Sequence, residues 1–409
     1  MTEINKESSN KQGYKKTKLG WIPEDWETPE IINVFNFLRT SSFSRNQLNY
    51  ETENDTYYIH YGDIHATYKT PILDFEKVQT VPKLNDDVVL PATVDYLKDG
   101  DVIIADASED YEGVGTAIEL TNINNRKVIS GLHTFALRDN SHLTVKGFRT
   151  YIFKNPFVKK ALKTIATGSK VYGISKSNIQ KFKIVLPPLP EQQKIAQILA
   201  TWDKAIAAQE QLIAEKQALK KGLMQQLLTG KKRFPGFDEE WEDVMLGELF
   251  NIRNGKDYKH LGLGNIPVYG TGGIMTYVDD FLFDGESVGI GRKGTIDKPV
   301  YLTGKFWTVD TLFYCNSFEN CIPKYIYYLF QTINWKKYNE ASGVPSLSQT
   351  TIKSIKVKMP RVLEQVKILE TLSRIDKNLN YLIKKSERLI VQKQGLMQQL
   401  LTGEKRVKI

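Results

Sequence analysis

The nine residues GLMQQLLTG occur at Gly222–Gly230 and again, 173 positions later, at Gly395–Gly403. The same displacement aligns SKSNIQKFKIVLPPLPEQQKIAQILATWDK, which begins at Ser175, with SQTTIKSIKVKMPRVLEQVKILETLSRIDK, which begins at Ser348. An identical run with aligned flanks indicates a duplication, and the repeated segment is about 55 residues long. This duplicated segment decides the organisation of the whole chain.

Each copy of the repeat has the pattern of a long helix. Pro190 suits the first helical turn and Glu191 complements the positive end of the helix dipole. A helix from Glu191 to Thr229 would be about 58 Å long at 1.5 Å per residue. The second copy has Arg361 and Leu363 where the first has Pro188 and Pro190, so we expect a looser helix start there.

A narrow apolar stripe on so long a helix requires a partner, and the other copy is the obvious one. We therefore expect two antiparallel helices that form a coiled coil, with internal pseudo-two-fold symmetry. The alternative is two separate helices, each packed on its own domain. Gly222 and Gly395 are expected to mark a close backbone approach or a kink. The expected helix and subunit interface consists of Ile195, Leu199, Trp202, Ile206, Leu223, Leu227, Ile368, Leu372, Ile375, Leu379, Leu396 and Leu400.

The segments before each copy do not repeat, although WIPEDWE at Trp21 and FPGFDEEWE at Phe234 open them similarly. Short strand-like runs, such as TYYIHYGDIH from Thr56 and SVGIG from Ser287, are separated by glycine-containing turns. The predicted fold class is α+β. The predicted boundaries are 1–180 and 234–355 for the two variable domains, and 181–233 and 356–409 for the helical regions.

The chain has 409 residues and a formal charge of +9. The stretch from Asp203 to Arg233 and the stretch from Asp376 to Ile409 together carry this entire net charge. Such clustering favours a polyanionic partner, although a solvated helix face is equally consistent with it. The polar N-terminus and the lack of long apolar runs argue against secretion and membrane spans. With only Cys315 and Cys321, we expect a cytoplasmic protein without structural zinc.

The sequence presents no convincing catalytic or metal-binding constellation. GIGRKG, at Gly289–Gly294, has dinucleotide-motif spacing, but a strand-like run follows it, so we interpret it as a strand and a glycine turn. No phosphate-binding P-loop motif is present. His60 and His65 are more typical of a polar reading face or satisfied strand histidines than of a metal site. Asp101, Asp106 and Glu109 lack the lysine that a metal-dependent nuclease site requires.

The variable domains do contain polar, glycine-flexible loops of the residue types that contact phosphates and base edges. Solvated loops are equally consistent with each of them. The candidate DNA-contact residues are Ser44, Arg45, Ser169, Lys170, Tyr172 and Ser175 in the first domain, and Lys256, Tyr258, Thr271, Arg292, Lys293, Ser346 and Ser348 in the second.

The whole chain resembles the DNA-specificity subunit of type I restriction-modification systems, in which two target-recognition domains alternate with two conserved helical regions. KLGWIPEDWE from Lys18, IVLPPLPEQQKIAQIL from Ile184, GLMQQLLTGKKRFPGF from Gly222, VKMPRVLEQVKIL from Val357 and GLMQQLLTGEKR from Gly395 carry the resemblance. It implies no catalysis by this chain, a role in defence against foreign DNA, and partnership with methyltransferase subunits, expected to be two, that bring S-adenosylmethionine. It also implies a restriction motor subunit.

From this resemblance we expect each variable domain to read one half of a bipartite double-stranded DNA target, with the helical pair setting the spacer. Two rival hypotheses stay open. An enzyme would require a cofactor loop or a carboxylate–lysine set, and neither is found. A non-catalytic coiled-coil adaptor of a DNA-associated complex would explain the repeat but not two divergent domains.

Overall fold

The computed structural model describes residues 12–51, 53–68 and 70–409. The polar N-terminal run used above to argue against secretion lies largely outside the described residues. The chain divides into two compact units, one made of residues up to 208 together with 386–409, and the other of 209–385. Each unit therefore contains one variable domain and a part of both repeat helices.

The first unit is built on two sheets. The strands are β1 Tyr14–Lys16, β2 Trp21–Pro23, β3 Phe35–Leu38, β4 Leu48–Asn49, β5 Thr56–Ile59, β6 Ile72–Asp74, β7 Lys83–Leu84, β8 Val102–Ala105, β9 Ala107–Ser108, β10 Ala117–Thr121, β11 Lys127–Ser130, β12 Thr134–Asp139 and β13 Tyr172–Gly173. A five-stranded sheet has the order β3-β12-β8-β10-β6 and a four-stranded sheet the order β11-β5-β7-β4, while β1 pairs with β2 and β9 with β13.

Four short α-helices and one end of each long helix complete this unit. The short helices are α1 Tyr61–Ala66, α2 Arg149–Lys154, α3 Pro156–Ile165 and α4 Lys176–Gln180, and the first long helix is α5 Leu189–Leu227. All four residues of the central strand β8 are buried, because its apolar side chains are covered on both faces. The main core joins the five-stranded sheet, α2, α3 and the first turns of α5.

The second unit has a related but smaller design. Its strands are β14 Glu242–Met245, β15 Asn251–Arg253, β16 Leu263–Gly270, β17 Gly273–Val278, β18 Phe283–Asp284, β19 Ser287–Gly291, β20 Val300–Leu302, β21 Lys305–Thr308, β22 Leu312–Asn316 and β23 Lys356–Met359. Its sheets have the orders β15-β22-β19-β20 and β17-β16-β21-β18, and β14 pairs with β23. Its helices are α6 Leu246–Leu249, α7 Pro323–Phe330, α8 Gln349–Lys353 and the long α9 Val362–Leu401, which ends in the first unit.

The two long helices pair antiparallel within each unit, as predicted. In the first unit, Asp203 near the start of α5 accepts a hydrogen bond from Lys393 near the end of α9. In the second unit, Lys220 Nζ, near the end of α5, lies 2.6 Å from Asp376 Oδ1 in the first half of α9. Gln209 Nε2 also donates to the Leu382 carbonyl at 3.0 Å. The alternative of two unpaired helices is therefore excluded.

One local expectation was wrong, and two others are tested only in part. No heavy atom lies within 4 Å of a Cβ built on Gly222 or Gly395, so neither glycine marks a close backbone approach, and a kink at either position stays a prediction. Helix α9 starts at Val362, which is 173 positions after Leu189, so the start of the second helix is not shifted by the loss of the prolines, and a looser start there stays a prediction. The run from Thr56 is not one strand: His60 accepts a hydrogen bond from Gly62 N at 3.1 Å and thereby starts α1.

Candidate nucleic-acid interface

A buried glutamate anchors the start of each long helix. Glu191 Oε2 accepts a hydrogen bond from Trp26 Nε1 at 2.9 Å, and Glu191 Oε1 accepts one from Arg406 Nε at 2.8 Å. In the second unit, Glu364 accepts from Trp241 Nε1 at 2.9 Å and from Arg233 Nε at 3.0 Å. Both glutamate side chains are almost completely buried. The same indole, carboxylate and guanidinium arrangement is thus built twice from residues far apart in the chain.

The next residue along each helix repeats the pattern. Gln192 donates to the carbonyls of Leu143 and Pro187 and accepts from Val145 N at 3.1 Å. Gln365, 173 positions later, makes the same three bonds to Asn320, Pro360 and Ile322. Because the same hydrogen bonds fix each helix to the loop before it, the two variable domains are held on equivalent supports.

The equivalence extends to the loop that precedes each short helix, α4 or α8. Ile174 N donates to the Asp106 carbonyl at 2.8 Å, just after strand β8. Leu347 N, displaced by 173, donates to the Arg292 carbonyl at 2.9 Å, just after strand β19. These loops, residues 168–175 and 341–348, lie largely within the runs Gly168–Asn178 and Ser342–Gln349, which were selected from the sequence as candidate DNA-contact loops. Each loop is hydrogen-bonded to the end of an inner strand of its sheet.

Strand registers match further positions of the two sheets. Ile104 of β8 lies opposite Phe135, as Ile290 of β19 lies opposite Phe313. The residues that follow these phenylalanines, Ala136 and Tyr314, pair in turn with Leu38 and Arg253. Leu38 therefore corresponds to Arg253. Four exposed or partly exposed positions around the loop therefore correspond but differ in chemistry. They are, first unit and then second, Arg39 and Asn254, Asp106 and Arg292, Ala107 and Lys293, and Lys176 and Gln349.

In the second unit these positions line an open groove together with Ser346 and Ser348. Gln349 Nε2 donates to Asn254 Oδ1 at 3.0 Å, which joins the two amides across the groove. Lys293 forms an isolated β-bridge with Ser346. Glycine is required in the turn that follows, since Gly294 has a φ of +91°. GIGRKG is therefore a strand and a glycine turn with exposed Arg292 and Lys293, as predicted.

In the first unit the corresponding surface carries a cluster of aromatic and charged groups. Arg45 donates from both arms to Asp63, at 2.9 Å each, and its Nη2 lies 3.4 Å from His60 Nδ1. The ring of Tyr61 lies between those of His60 and His133, with centroid distances of 4.8 and 5.4 Å. These contacts connect Arg45 with the strand end at Asp106, since His133 Nδ1 lies 3.4 Å from Asp106 Oδ1.

Burial and neighbouring charge shift the pKa values of two groups in this cluster. Burial raises the pKa of Asp106, against the lowering effect of His133. Burial, followed by the positive charge of Arg45, lowers the pKa of His60. His60 is therefore a neutral acceptor near pH 7, as its hydrogen bond from Gly62 N requires.

The structure brings together some of the residues selected from the sequence. In the second unit, Arg292, Lys293, Ser346 and Ser348 line one groove, and Thr271 Oγ1 lies next to Gly294. Lys256 and Tyr258 lie on the adjacent segment, where Trp307 Nε1 donates to the Lys256 carbonyl at 2.8 Å. Ser348 also caps α8, and Ser175 caps α4. Direct DNA contact by each of these residues stays a prediction.

In the first unit the selected residues differ in exposure and in the contacts that their side chains make. Ser169 and Lys170 are exposed, and Tyr172 packs its ring against Tyr111 at 5.2 Å. Ser44 starts a 3-10 turn over 45–47, where it bonds to Gln47. The sequence selected the runs GSKVYGISKSN (Gly168–Asn178), NGKDYKH (Asn254–His260) and SGVPSLSQ (Ser342–Gln349), which contain Lys176, Asn254 and Gln349, but it did not single out these three residues. Arg39 lies outside the selected runs, and only strand register identifies it as the counterpart of Asn254.

Most of the apolar helix positions are occupied by contacts within the chain. Ile195, Leu199 and Leu400 are buried in the core of the first unit, and Leu227, Ile368 and Leu372 in that of the second. Leu379 is also buried. A contact with another subunit stays a prediction for the partly exposed positions, which are Trp202, Ile206, Leu223, Ile375 and Leu396.

Neither a metal site nor a membrane span is found in the described ranges. No group of three or more His, Cys, Asp or Glu side chains is placed to hold a metal ion there. Within the same ranges, every helix is too short or too polar to cross a membrane. Both cysteines are buried and unpaired, and burial raises the pKa of each thiol far above neutral pH.

The fold and these surfaces can be compared with known proteins. The family model for the type I restriction modification DNA specificity domain matches residues 23–216 and 238–391. The putative type I restriction enzyme MjaX specificity subunit of Methanocaldococcus jannaschii is 24% identical over 97% of both chains. The MjaVIII specificity subunit of the same organism is 26% identical over 63% of this chain and 70% of its own.

Two solved structures share the fold. The type I restriction-modification S subunit of M. genitalium has a TM-score of 0.56 at 17% identity, over 92% of this chain and 96% of its own. A chain from a structure that describes complex assembly and conformational transition of the type I R-M system has a TM-score of 0.60 at 16% identity, over 94% and 99%.

Proposed function

The chain belongs to the type I restriction-modification DNA specificity family, and from this premise we propose that each of its two units reads one half of a bipartite DNA target. The observation that carries the proposal is the pair of corresponding hydrogen bonds from Ile174 and Leu347 to the strand ends at Asp106 and Arg292. The same backbone arrangement carries an acidic side chain, Asp106, in the first unit and a basic side chain, Arg292, in the second. Different side chains on the same frame favour different base pairs.

The paired helices are proposed to set the spacer between the two half-sites and to bind the partner subunits. Two α-helices joined by ion pairs and buried leucines form a stiff element, which suits a fixed separation. The partners are two methyltransferase subunits and, for cleavage, a restriction motor subunit. S-adenosylmethionine is proposed to bind to the methyltransferase subunits, because this chain is proposed to contribute recognition without catalysis.

The test is to express this chain with its methyltransferase subunits in an unmethylated host and to map the methylated positions across the genome. We expect one asymmetric target made of two specified parts and an unread gap. A second strain carries the four second-unit positions Asn254, Arg292, Lys293 and Gln349 changed to their first-unit counterparts. Only one of the two specified parts should change in that strain.

The rival function is a non-catalytic coiled-coil adaptor, which would leave target choice to another subunit. On that hypothesis the four substitutions leave the methylated sequence unchanged. A methylated sequence without an unread gap would contradict the proposal. So would a methylated sequence that substitutions in neither variable domain change. As a matched control, Lys298, Lys305 and Lys324, which lie on the same unit but do not line the groove, are changed to glutamine.

A further inference from the structure

We infer that the half-site read by the second unit contains a guanine, and that Arg292 contacts the O6 and N7 atoms of that guanine in the major groove. The inference rests on the proposed function and adds the identity of one base. It depends on three properties of Arg292: a fixed backbone, a guanidinium that pairs with no carboxylate among the described residues, and a position at which the fold itself does not require arginine.

The backbone of Arg292 is held from both sides. Its N–H donates to the Thr311 carbonyl at 2.8 Å, and its carbonyl accepts from Leu347 N at 2.9 Å. The following turn is fixed by Gly294 N, which donates to the Pro345 carbonyl at 2.8 Å. A side chain that discriminates between bases must start from a fixed Cα, because an error of 1 Å removes a two-point contact.

The guanidinium of Arg292 is exposed and packs over the ring of Phe313, with 6.0 Å from Cζ to the centroid. Within residues 12–51, 53–68 and 70–409, no carboxylate lies within ion-pair distance of it. Glu340, in the same groove, accepts hydrogen bonds from Ser348 and Thr351 instead. The ring orients the arginine stem, and the nitrogen donors stay available to a ligand.

Guanine is the base that matches these donors. Its major-groove edge presents two adjacent acceptors, O6 and N7, and the planar arginine fork can bind both at once. The aligned position in the first unit is Asp106, so the fold does not demand a positive charge there. Lys293, next in sequence, is a compact charge suited to a nearby phosphate.

The experiment measures binding of the reconstituted complex with its methyltransferase subunits to duplexes that carry the mapped target. Each guanine is replaced in turn by 7-deazaguanine, which keeps Watson–Crick pairing but lacks the N7 acceptor. For the unmodified protein we expect one guanine whose replacement weakens binding, by less than the roughly 5- to 140-fold that a whole bidentate contact implies, because the O6 acceptor is kept.

The arginine is then tested against that guanine. Arg292→Gln should bind the natural duplex about 5- to 140-fold more weakly and should no longer respond to the 7-deazaguanine replacement. Lys298→Gln removes the same charge from an exposed site that does not line the groove, and should keep the full response. If Arg292→Gln does not assemble, Arg292→Met, which keeps the stem over Phe313, takes its place.

Each outcome separates this inference from the proposed function. If the complex methylates no split target, the proposed function fails. If the split target exists but no single guanine responds to 7-deazaguanine, the inference alone is overturned. It is also overturned if the Arg292 variants respond to the replacement as strongly as the unmodified protein does.

Discussion

Arg406, which follows the second long helix, donates from Nε to the fully buried Oε1 of Glu191, at the start of the first long helix, over 2.8 Å. Its Nη1 and Nη2 atoms donate to Oδ1 and Oδ2 of Asp25 at 3.0 and 2.7 Å. Hydrogen bonds from Arg406 lower the pKa of Asp25. The guanidinium therefore neutralises the charge of one buried and one exposed carboxylate. It also joins the segment after α9 to the start of α5 in the first unit.

The first prediction is that Arg406→Met destabilises the protein by about 2–3 kcal/mol, because Glu191 loses its counter-charge while it stays buried. Urea unfolding at pH 7 measures the change. The control Lys408→Met removes an exposed charge for which no ion pair is found in the described part of the chain, and should leave stability within about 0.5 kcal/mol. Combining Glu191→Gln with Arg406→Met should cost less than the two single changes added together. Equal stability of Arg406→Met and the parent would contradict this account.

The second prediction concerns Glu119, a buried carboxylate of β10 that accepts a hydrogen bond from Gly147 N at 2.5 Å. Burial raises its pKa from 4.5 to about 7. Between these values the folded protein holds a proton that the unfolded chain has released. Stability should therefore fall by about 3 kcal/mol as pH rises through this window, and this contribution should be constant on either side.

Glu119→Gln should abolish that part of the pH dependence. The variant should gain stability relative to the parent as pH increases from about 4.5 to about 7. Unfolding free energies at several pH values, with Glu109→Gln as a control at an exposed carboxylate, provide the comparison. Parallel pH profiles for the parent and Glu119→Gln would show that this carboxylate is ionised at the same pH in both states.

The arrangement of the long helices could be predicted from the sequence because one duplication specified it. The helix from Leu189 to Leu227 lies within two residues of the predicted bounds, and its antiparallel partner was identified from the 173-residue displacement. The run from Thr56 could not be assigned correctly, because the alternation of apolar and polar residues continues past Ile59. What ends the strand is a side-chain cap by His60, and a cap depends on local geometry rather than on periodicity.

The candidate site was only partly predictable, for a related reason. The runs Gly168–Asn178 and Ser342–Gln349 could be selected by residue type, and the repeat shows that they largely correspond. Asn254 becomes a neighbour of Gln349 only through the tertiary fold, and Arg39 is identified as the counterpart of Asn254 only through strand pairing between residues far apart in sequence. Arg45 was selected as a candidate DNA contact, but it binds Asp63, which lies on another element. Tertiary pairing of this kind leaves no local pattern in a single sequence.

The third prediction distinguishes a structural arginine from a DNA-binding lysine in the first unit. Arg45 binds Asp63 with both arms, and the Asp63 side chain is only 5% exposed. Arg45→Ala should therefore lower stability by about 1–3 kcal/mol, because a buried carboxylate loses its partner. Lys170 is exposed in the candidate loop, and no ion pair is found for it among the described residues.

Lys170→Ala should leave stability unchanged and weaken DNA binding by the complex at all sequences alike. The slope of log affinity against log salt should become shallower by about 1, as expected for the loss of one phosphate contact. Thermal unfolding and binding at several salt concentrations measure both variants. The assignment would be reversed if Arg45→Ala changed the salt slope and Lys170→Ala changed the unfolding temperature.

The last prediction tests the helices as a spacer. Four residues are inserted into each long helix at the boundary of the two compact units, between Ala208 and Gln209 and between Lys385 and Ser386. The insertions lengthen each helix by about 6 Å. That length equals about two base pairs of B-form DNA at 3.4 Å each. Because the insertions fall between the two compact units, each variable domain keeps its own contacts with both helices.

Methylation mapping should then give the same two half-sites with a gap longer by about two base pairs. As a control, four residues are inserted after Gly304, a surface turn of the second unit with a φ of +69°. This insertion lengthens neither helix, so the gap should stay the same. A gap unchanged by the helix insertions, with both half-sites still methylated, would show that something other than helix length fixes the spacing.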